Sequence, residues 1–203
     1  MPDVYITRTS SYLPNAIVGN DEIEDYLGFI NDKGSRQKAL VLRSNKIKER
    51  YYAIDKQGNA THTNAELTSL AVKKLFDNTS NKIKEIDLLS CGTSSPDQMM
   101  PSHGVMVHGL LPEMESIEVT SPSGNCCSGM HALKYAFMSL RLGDKNKAVC
   151  TGSERLSKIM RAEHFEAEVQ DLIKLGENPY LAFEKDFLRW MLSDGAGAFL
   201  LEP

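Results

Sequence analysis

The sequence predicts an α/β protein whose five-stranded, mostly parallel mixed sheet is covered by helices on both faces. Short apolar runs at residues 86–91 and 148–152 are typical of buried strands. They alternate along the chain with segments of helical length, and strands alternating with helices indicate parallel pairing with helical crossovers. A glycine-rich turn that runs into a last strand, at residues 193–201, completes this pattern.

The first 120 residues divide into elements by local signals. Residues 5–13 have the character of a strand and end at a Leu-Pro-Asn turn, and a short helix is capped near residue 20. Thr63 and Glu66 have the spacing of a capping box, and apolar residues at helical spacing follow them. A helix is predicted at 106–111 and a short strand at 117–119.

The remainder predicts one long helix, two strands and an insertion. Residues 130–142 are helical and apolar on nearly every side, which is typical of a helix buried all round. A helical insertion is predicted near 154–191, between the strand at 148–152 and the last strand. It contains an amphipathic helix marked by Phe165, Val169, Leu172 and Ile173, and an apolar run at 180–191.

The composition excludes several classes of function. A net charge of −4 argues against broad nucleic-acid binding, which needs a basic face. No stretch approaches the roughly 20 apolar residues of a membrane span, and the first residues resemble no signal peptide. The four cysteines form no C-x-x-C pair, so neither a zinc site nor a disulfide framework is expected. We therefore expect a cytoplasmic protein that binds neither membrane nor nucleic acid.

The stretch 121–130, Ser-Pro-Ser-Gly-Asn-Cys-Cys-Ser-Gly-Met, has the context of a nucleophile elbow. A strand precedes it and the long helix follows it. The N–H groups and the positive end of the dipole at a helix N-terminus favour a thiolate there. Cys127 is therefore the candidate catalytic nucleophile, and Cys126 is interpreted as a small buried hydrophobe.

Other side chains have weaker functional readings. His131 follows Cys127 by four residues, but helical side chains lean toward the N-terminus, so a role as its base is disfavoured. His103 and His108 are interpreted as packing or surface residues. Asp194 and its glycines are interpreted as a tight turn that permits close helix–sheet packing. The basic run of Lys46, Lys48 and Arg50 is interpreted as a solvated face, with a carrier contact as the alternative.

Six separated stretches resemble, in order and spacing, the N-terminal half of a β-ketoacyl-acyl carrier protein synthase III, a condensing enzyme of the thiolase fold. They are Ser-Tyr-Leu-Pro at 11–14, Ile-Lys-Glu-Arg-Tyr at 47–51, Gly-Thr-Ser-Ser-Pro-Asp at 92–97 with Pro-Ser at 101–102, Cys-Cys-Ser-Gly at 126–129, Gly-Ser-Glu at 152–154 and Ser-Asp-Gly-Ala-Gly-Ala at 193–198. The resemblance implies that residues 1–203 form one thiolase-fold half, with Cys127 as the residue that takes up the acyl group.

The resemblance also implies substrates, partners and a missing part. The substrates would be thioesters of acyl carrier protein or CoA, no cofactor is implied, and a homodimer is expected. The Met99-Met100 loop would then cap the acyl tunnel across the dimer interface. The C-terminal half of such enzymes carries a catalytic histidine and an asparagine. We expect that half to be absent from this chain, as a missing continuation or as a second chain.

Some features depart from the synthase III pattern. Initiating members hold the CoA adenine against a tryptophan where Leu40 or Val41 stands here, and Trp190 lies elsewhere. The loop at 95–100 and the glutamate-rich insertion look more like the subgroup that makes dialkylresorcinols. Two alternatives stay open: a non-catalytic half-subunit or chain-length partner, and a relative of thiolase or hydroxymethylglutaryl-CoA synthase.

The long helix gives one further expectation. In a thiolase fold it packs in a central layer between the two halves. In a lone half, one of its flanks would face water, so we expect residues 1–203 to aggregate when purified alone.

Overall fold

The computed structural model describes residues 2–30, 34–35, 38–76, 80–165 and 187–203. In chain order the elements are β1 (Tyr5–Tyr12), β2 (Val18–Gly19), α1 (Ile23–Leu27), α2 (Lys38–Asn45), β3 (Glu49–Arg50), α3 (Asn64–Lys74), a 3-10 helix (Ser80–Glu85), β4 (Leu88–Thr93), α4 (His103–Gly109), β5 (Glu118–Thr120), α5 (Ser128–Arg141), β6 (Ala148–Glu154) and β7 (Gly195–Glu202). Residues 187–191 are also helical. Within these ranges, no helix has the length and apolarity needed to cross a bilayer.

The chain forms two compact units. The first, called the sheet unit, comprises Met1–Leu13, His62–Arg155 and Gly195–Pro203, and the second unit comprises Pro14–Thr61 and Leu156–Asp194. The described part of the predicted insertion falls largely in the second unit, which it shares with residues 14–61. The predicted helix around Val169, Leu172 and Ile173, and the first part of the apolar run at 180–191, lie outside the described residues.

The sheet has the strand order β1-β7-β6-β4-β5. β4 pairs in parallel with both β5 and β6, whereas β7 pairs antiparallel with β6 on one side and with β1 on the other. Four strands therefore run in one direction and β7 runs against them. This confirms the predicted five-stranded mixed sheet with mostly parallel strands.

Helices cover both faces of this sheet. α5 packs on the face that includes Leu88, Ala148 and Cys150, where its small residues Ala132 and Ala136 are fully buried. Because side chains alternate along a strand, Ser153 of β6 lies on the opposite face. There it contacts His103 of α4, which in turn contacts α3. The two-sided covering that the sequence predicts is therefore present.

The helix α5 is buried on one side only. Beyond its buried stripe, Met130 is 63% exposed, Met138 48% and Leu142 67%. A groove of about 630 Å³ runs along this flank between α5 and the N-terminal part of the chain, lined by Val4, Tyr5, Ile6, Met130, His131, Leu133, Lys134, Phe137 and Leu201. The apolar character of residues 130–142 on nearly every side is therefore matched by burial on one side only, and the exposed flank expected of a lone half is observed.

The second unit is built around Trp190, whose side chain is fully buried. Arg189 stacks on it with its guanidinium 4.9 Å from the ring centroid, and Nε of Arg189 donates to the carbonyl of Met160 at 2.9 Å. Arg50 is also buried, donating to Oδ1 of Asn20 at 2.7 Å and to the carbonyl of Trp190. Arg50 is therefore a structural residue, and the predicted solvated basic face is wrong at this position.

Asp194 connects three segments of the second unit. Asp194 is 2% exposed. Oδ2 accepts a hydrogen bond from the amide of Ala53 at 2.7 Å, and Oδ1 accepts from the amides of Leu156 at 2.6 Å and Ser157 at 2.9 Å. The interpretation as a turn that permits helix–sheet packing is therefore corrected, because Asp194 satisfies buried backbone donors from two other parts of the chain.

Candidate active site

Cys127 occupies the N-cap position of α5. β5 ends at Thr120, the turn 121–127 follows, and the carbonyl of Cys127 accepts the amide of His131 at 3.0 Å as the helix begins. The side chain of Cys127 is exposed. The predicted succession of strand, tight turn and helix is therefore present, and it presents the thiol at the surface of the sheet unit.

Ser128 holds the turn that precedes the helix. Its side chain is buried, and its hydroxyl lies 2.8 Å from the carbonyl of Gly124 and 2.9 Å from the carbonyl of Asn125. The amide of Ser128 also donates to the carbonyl of Asn125 at 3.1 Å. The buried residue Ser128, the first residue of α5, therefore also fixes the turn that precedes Cys127.

The four cysteines differ sharply in accessibility. Cys91 and Cys150 are buried in the sheet, and burial raises the pKa of each thiol to about 12. Cys126 and Cys127 are both exposed. The interpretation of Cys126 as a buried hydrophobe is wrong, because its position in the turn places its side chain in solvent. Two adjacent accessible thiols thus stand at the start of α5.

The loop after β4 runs beside the cysteine turn and is fixed at several points. Thr93 forms a parallel bridge with Ser123 of that turn. Asp97 accepts the amides of Asn64 and Ala65, each at 2.9 Å, at the start of α3. Nη2 of Arg155 lies 3.4 Å from Oδ1 of Asp97. The sequence identifies residues 92–97 as one of the stretches that resemble synthase III, but it does not indicate these contacts.

Glu154, at the end of β6, provides a further anchor for the same loop. Its Oε1 accepts the amide of Ser94 at 2.8 Å, and its Oε2 accepts the hydroxyl of Ser95 at 2.5 Å. The Gly-Ser-Glu stretch was recognised as part of the resemblance, but no sequence signal indicated which groups the glutamate binds. The contact depends on strand order, which brings β6 beside β4.

His103 is a buried connector on the opposite face of the sheet. Its Nε2 lies 3.2 Å from the hydroxyl oxygens of Thr68 and Ser153. The Thr68 hydroxyl also donates to the carbonyl of Asn64 at 2.8 Å. Burial lowers the pKa of His103, which keeps this ring neutral. The interpretation of His103 as a packing residue is confirmed.

His131 and the methionine pair have different surroundings. His131 is exposed and lines the groove along the α5 flank with Val4 and Tyr5, whereas Cys127 does not line it. Met99 and Met100 are 90% and 86% exposed. The structure thus does not bring His131 to Cys127 as a partner, and the role of the methionines in capping an acyl tunnel stays a prediction.

The structure also locates the residues considered for adenine or metal binding. Leu40 is exposed on α2 and Val41 is buried beneath it. Trp190 is fully buried, so its ring is not available to stack on a base. Among the described residues, no group of three or more histidine, cysteine, aspartate or glutamate side chains is placed to hold a metal ion.

This chain is similar in sequence and in fold to known condensing enzymes. The family model of the β-ketoacyl synthase N-terminal domain matches residues 118–203, which include the cysteine turn, α5, β6 and β7. The β-ketoacyl-[acyl-carrier-protein] synthase III of Clostridium novyi (strain NT) is 29% identical over 160 residues, covering 79% of this chain and 45% of that enzyme. The resemblance to synthase III is confirmed.

Solved structures establish the fold. AbyA1, a tetronic acid condensing enzyme, superposes with a TM-score of 0.72 and 21% identity over 98% of this chain and 52% of its own. OleA of Xanthomonas campestris, solved with lauric acid and lauroyl-CoA, gives a TM-score of 0.73 at 16% identity over 99% of this chain and 56% of its own. The chain thus has the thiolase fold of the synthase III enzymes and spans about half the length of the relatives that it matches.

Proposed function

We propose that this chain is the nucleophile-bearing half of an acyl-thioester condensing enzyme related to synthase III. One observation carries the proposal: the exposed Cys127 stands at the N-cap of α5 in a synthase III-like half.

In the first half-reaction, the thiolate of Cys127 attacks the carbonyl carbon of an acyl thioester. The new carbon–sulfur bond pushes the carbonyl electrons onto oxygen, and the backbone N–H of Cys127 supplies part of the oxyanion hole. When the carbonyl re-forms, the carrier thiolate leaves and takes a proton from solvent. The product is an S-acyl cysteine on the enzyme.

In the second half-reaction, a carbanion attacks this acyl group and forms a carbon–carbon bond, with Cys127 as the leaving thiolate. Decarboxylation of a malonyl thioester or deprotonation of a 3-oxoacyl thioester supplies the carbanion. A histidine and an asparagine of a C-terminal half would stabilise it. We place that half either in the same polypeptide or in a second chain, against the exposed flank of α5.

The partners follow from this chemistry. The acyl donor would be an acyl carrier protein or CoA thioester in the reducing cytoplasm, where a free thiol persists. Association of two copies through β5 is supported by its position at the edge of the sheet and by the exposed Met99-Met100 loop. Light scattering of the protein with its C-terminal half should give a homodimer, and a monomeric particle would contradict this part of the proposal.

Acyl loading tests the proposal directly. The protein with its C-terminal half is incubated with acyl-CoA thioesters from acetyl to lauroyl, and with the same acyl groups on acyl carrier protein. The mass of each tryptic peptide of this chain is then measured. We expect one thioester adduct, on Cys127, that hydroxylamine removes. If no donor leaves an adduct, the chain is a non-catalytic half-subunit, the alternative left open by the sequence.

A further inference from the structure

The first turn of α5 lies unusually close to the backbone of β4 at Gly92. A Cβ atom added at Gly92 would lie 2.3 Å from the carbonyl oxygen of Ser128, 2.4 Å from its carbonyl carbon and 2.7 Å from the amide nitrogen of Gly129. These are backbone atoms of the two residues after Cys127, so no side-chain rotation can relieve the clash. The contact requires a residue without a side chain at position 92.

The neighbouring strand shows that this closeness is specific to Gly92. Gly152 of β6 pairs with Gly92 in register. A Cβ atom at Gly152 would meet only the Cα of Gly129, at the ordinary contact distance of 3.4 Å. A Cβ atom at Gly129 would meet the Cα of Gly152 at 3.2 Å. The helix start therefore rests on two glycines of the sheet, and the tightest contact is with β4.

We infer that Gly92 is a positioning residue for acyl transfer at Cys127, an inference that rests on the proposed function. A carbon atom approaches a carbonyl oxygen to about 3.3 Å, so a methyl group at position 92 displaces the Ser128 carbonyl by about 1 Å. Ser128 transmits that shift, because its buried hydroxyl also holds the carbonyls of Gly124 and Asn125 on the other side of Cys127.

A displacement of the Ser128 carbonyl should affect acylation and alkylation of the Cys127 thiol differently. Attack on a thioester needs the backbone N–H of Cys127 aimed at the developing oxyanion, and a misplacement of about 1 Å can cost about 100-fold in rate. Alkylation by iodoacetamide displaces iodide and forms no oxyanion. Gly92 should therefore matter for acylation and much less for alkylation.

The test measures both rates at Cys127 by peptide mass spectrometry, with octanoyl-N-acetylcysteamine as the thioester and iodoacetamide as the alkylator. In Gly92→Ala we expect acylation to fall about 100-fold and alkylation to change less than about threefold. Gly129→Ala, which makes the milder contact, should lose about threefold to tenfold in acylation. Gly109→Ala is the matched control, since a Cβ atom there meets nothing within 4 Å, and it should change neither rate.

Three results would overturn the inference. They are unchanged acylation in Gly92→Ala, an equal loss of acylation and alkylation in that variant, or a crystal structure of it in which the Ser128 carbonyl has not moved. If Gly92→Ala does not fold, Gly129→Ala decides by the same two rates. If the unmodified protein takes up no acyl group, the proposed function fails by itself, and the displacement in the crystal structure of Gly92→Ala still decides whether Gly92 sets the helix position.

Discussion

Replacing Cys127 by alanine should abolish acyl loading, with a fall of at least about 10³-fold in the rate of adduct formation. The reason is chemical, since the acyl–enzyme bond is made to this sulfur. The side chain is exposed, so its removal leaves no cavity and should change the free energy of unfolding by no more than about 0.5 kcal/mol. The measurement is the mass of the intact chain after incubation with each acyl donor.

The adjacent Cys126 provides the matched control. Cys126→Ala removes another exposed thiol one residue away, and it should retain acyl loading within a few-fold. Cys91 and Cys150 should stay unmodified throughout, because burial raises the pKa of both thiols to about 12. Equal loading of Cys126 and Cys127, or adducts that persist in Cys127→Ala, would show that the thiol chemistry is non-specific.

Replacing Asp194 by alanine should destabilise the second unit by about 3 to 5 kcal/mol, the largest stability effect that we expect from a single side chain here. The substitution leaves the amides of Ala53, Leu156 and Ser157 without the carboxylate that they bind. A buried donor without an acceptor costs about 1 to 3 kcal/mol. Urea unfolding followed by fluorescence measures the effect.

The chain offers a selective probe and control for this measurement. Trp190 is the single tryptophan and is fully buried in the second unit, so its fluorescence reports the unfolding of that unit. Asp21→Ala removes an exposed carboxylate from the same unit and should shift the free energy by no more than about 0.5 kcal/mol. If the two variants unfolded at the same urea concentration, Asp194 would not be the connector that its contacts indicate.

The sequence predicted the helices and strands well where they depend on local signals, because such signals involve only residues that are close together in the chain. The Thr63–Glu66 capping box is present with both of its hydrogen bonds, and the strand, turn and helix around Cys127 lie where the sequence indicates. The helix α5 begins at Ser128, two residues before its predicted start, because small polar residues at a helix N-terminus carry no apolar signal.

Long-range contacts could not be predicted in the same way. The roles of Asp194, Glu154 and His103 depend on which strands and segments become neighbours, and periodicity carries no information on that order. The sequence places Gly92 in a stretch that resembles synthase III, but it does not show why a glycine is needed there, since the missing side chain matters through the backbone opposite it. The apolar pattern of α5 predicts burial on all sides, but it does not say whether this chain supplies the covering surface.

The position of β7 in the sheet has a consequence for how the chain folds while the ribosome makes it. β1 at the sheet edge pairs with β7, so Tyr5 meets Glu202. At about 5 to 20 residues per second, a ribosome needs about 10 to 40 s to make the residues between them. β4, β5 and β6 can assemble with α5 during that interval, while the first strand waits with unpaired backbone groups. The backbone groups of β1 that pair with β7 therefore stay without their partner until the last residues of β7 have been made.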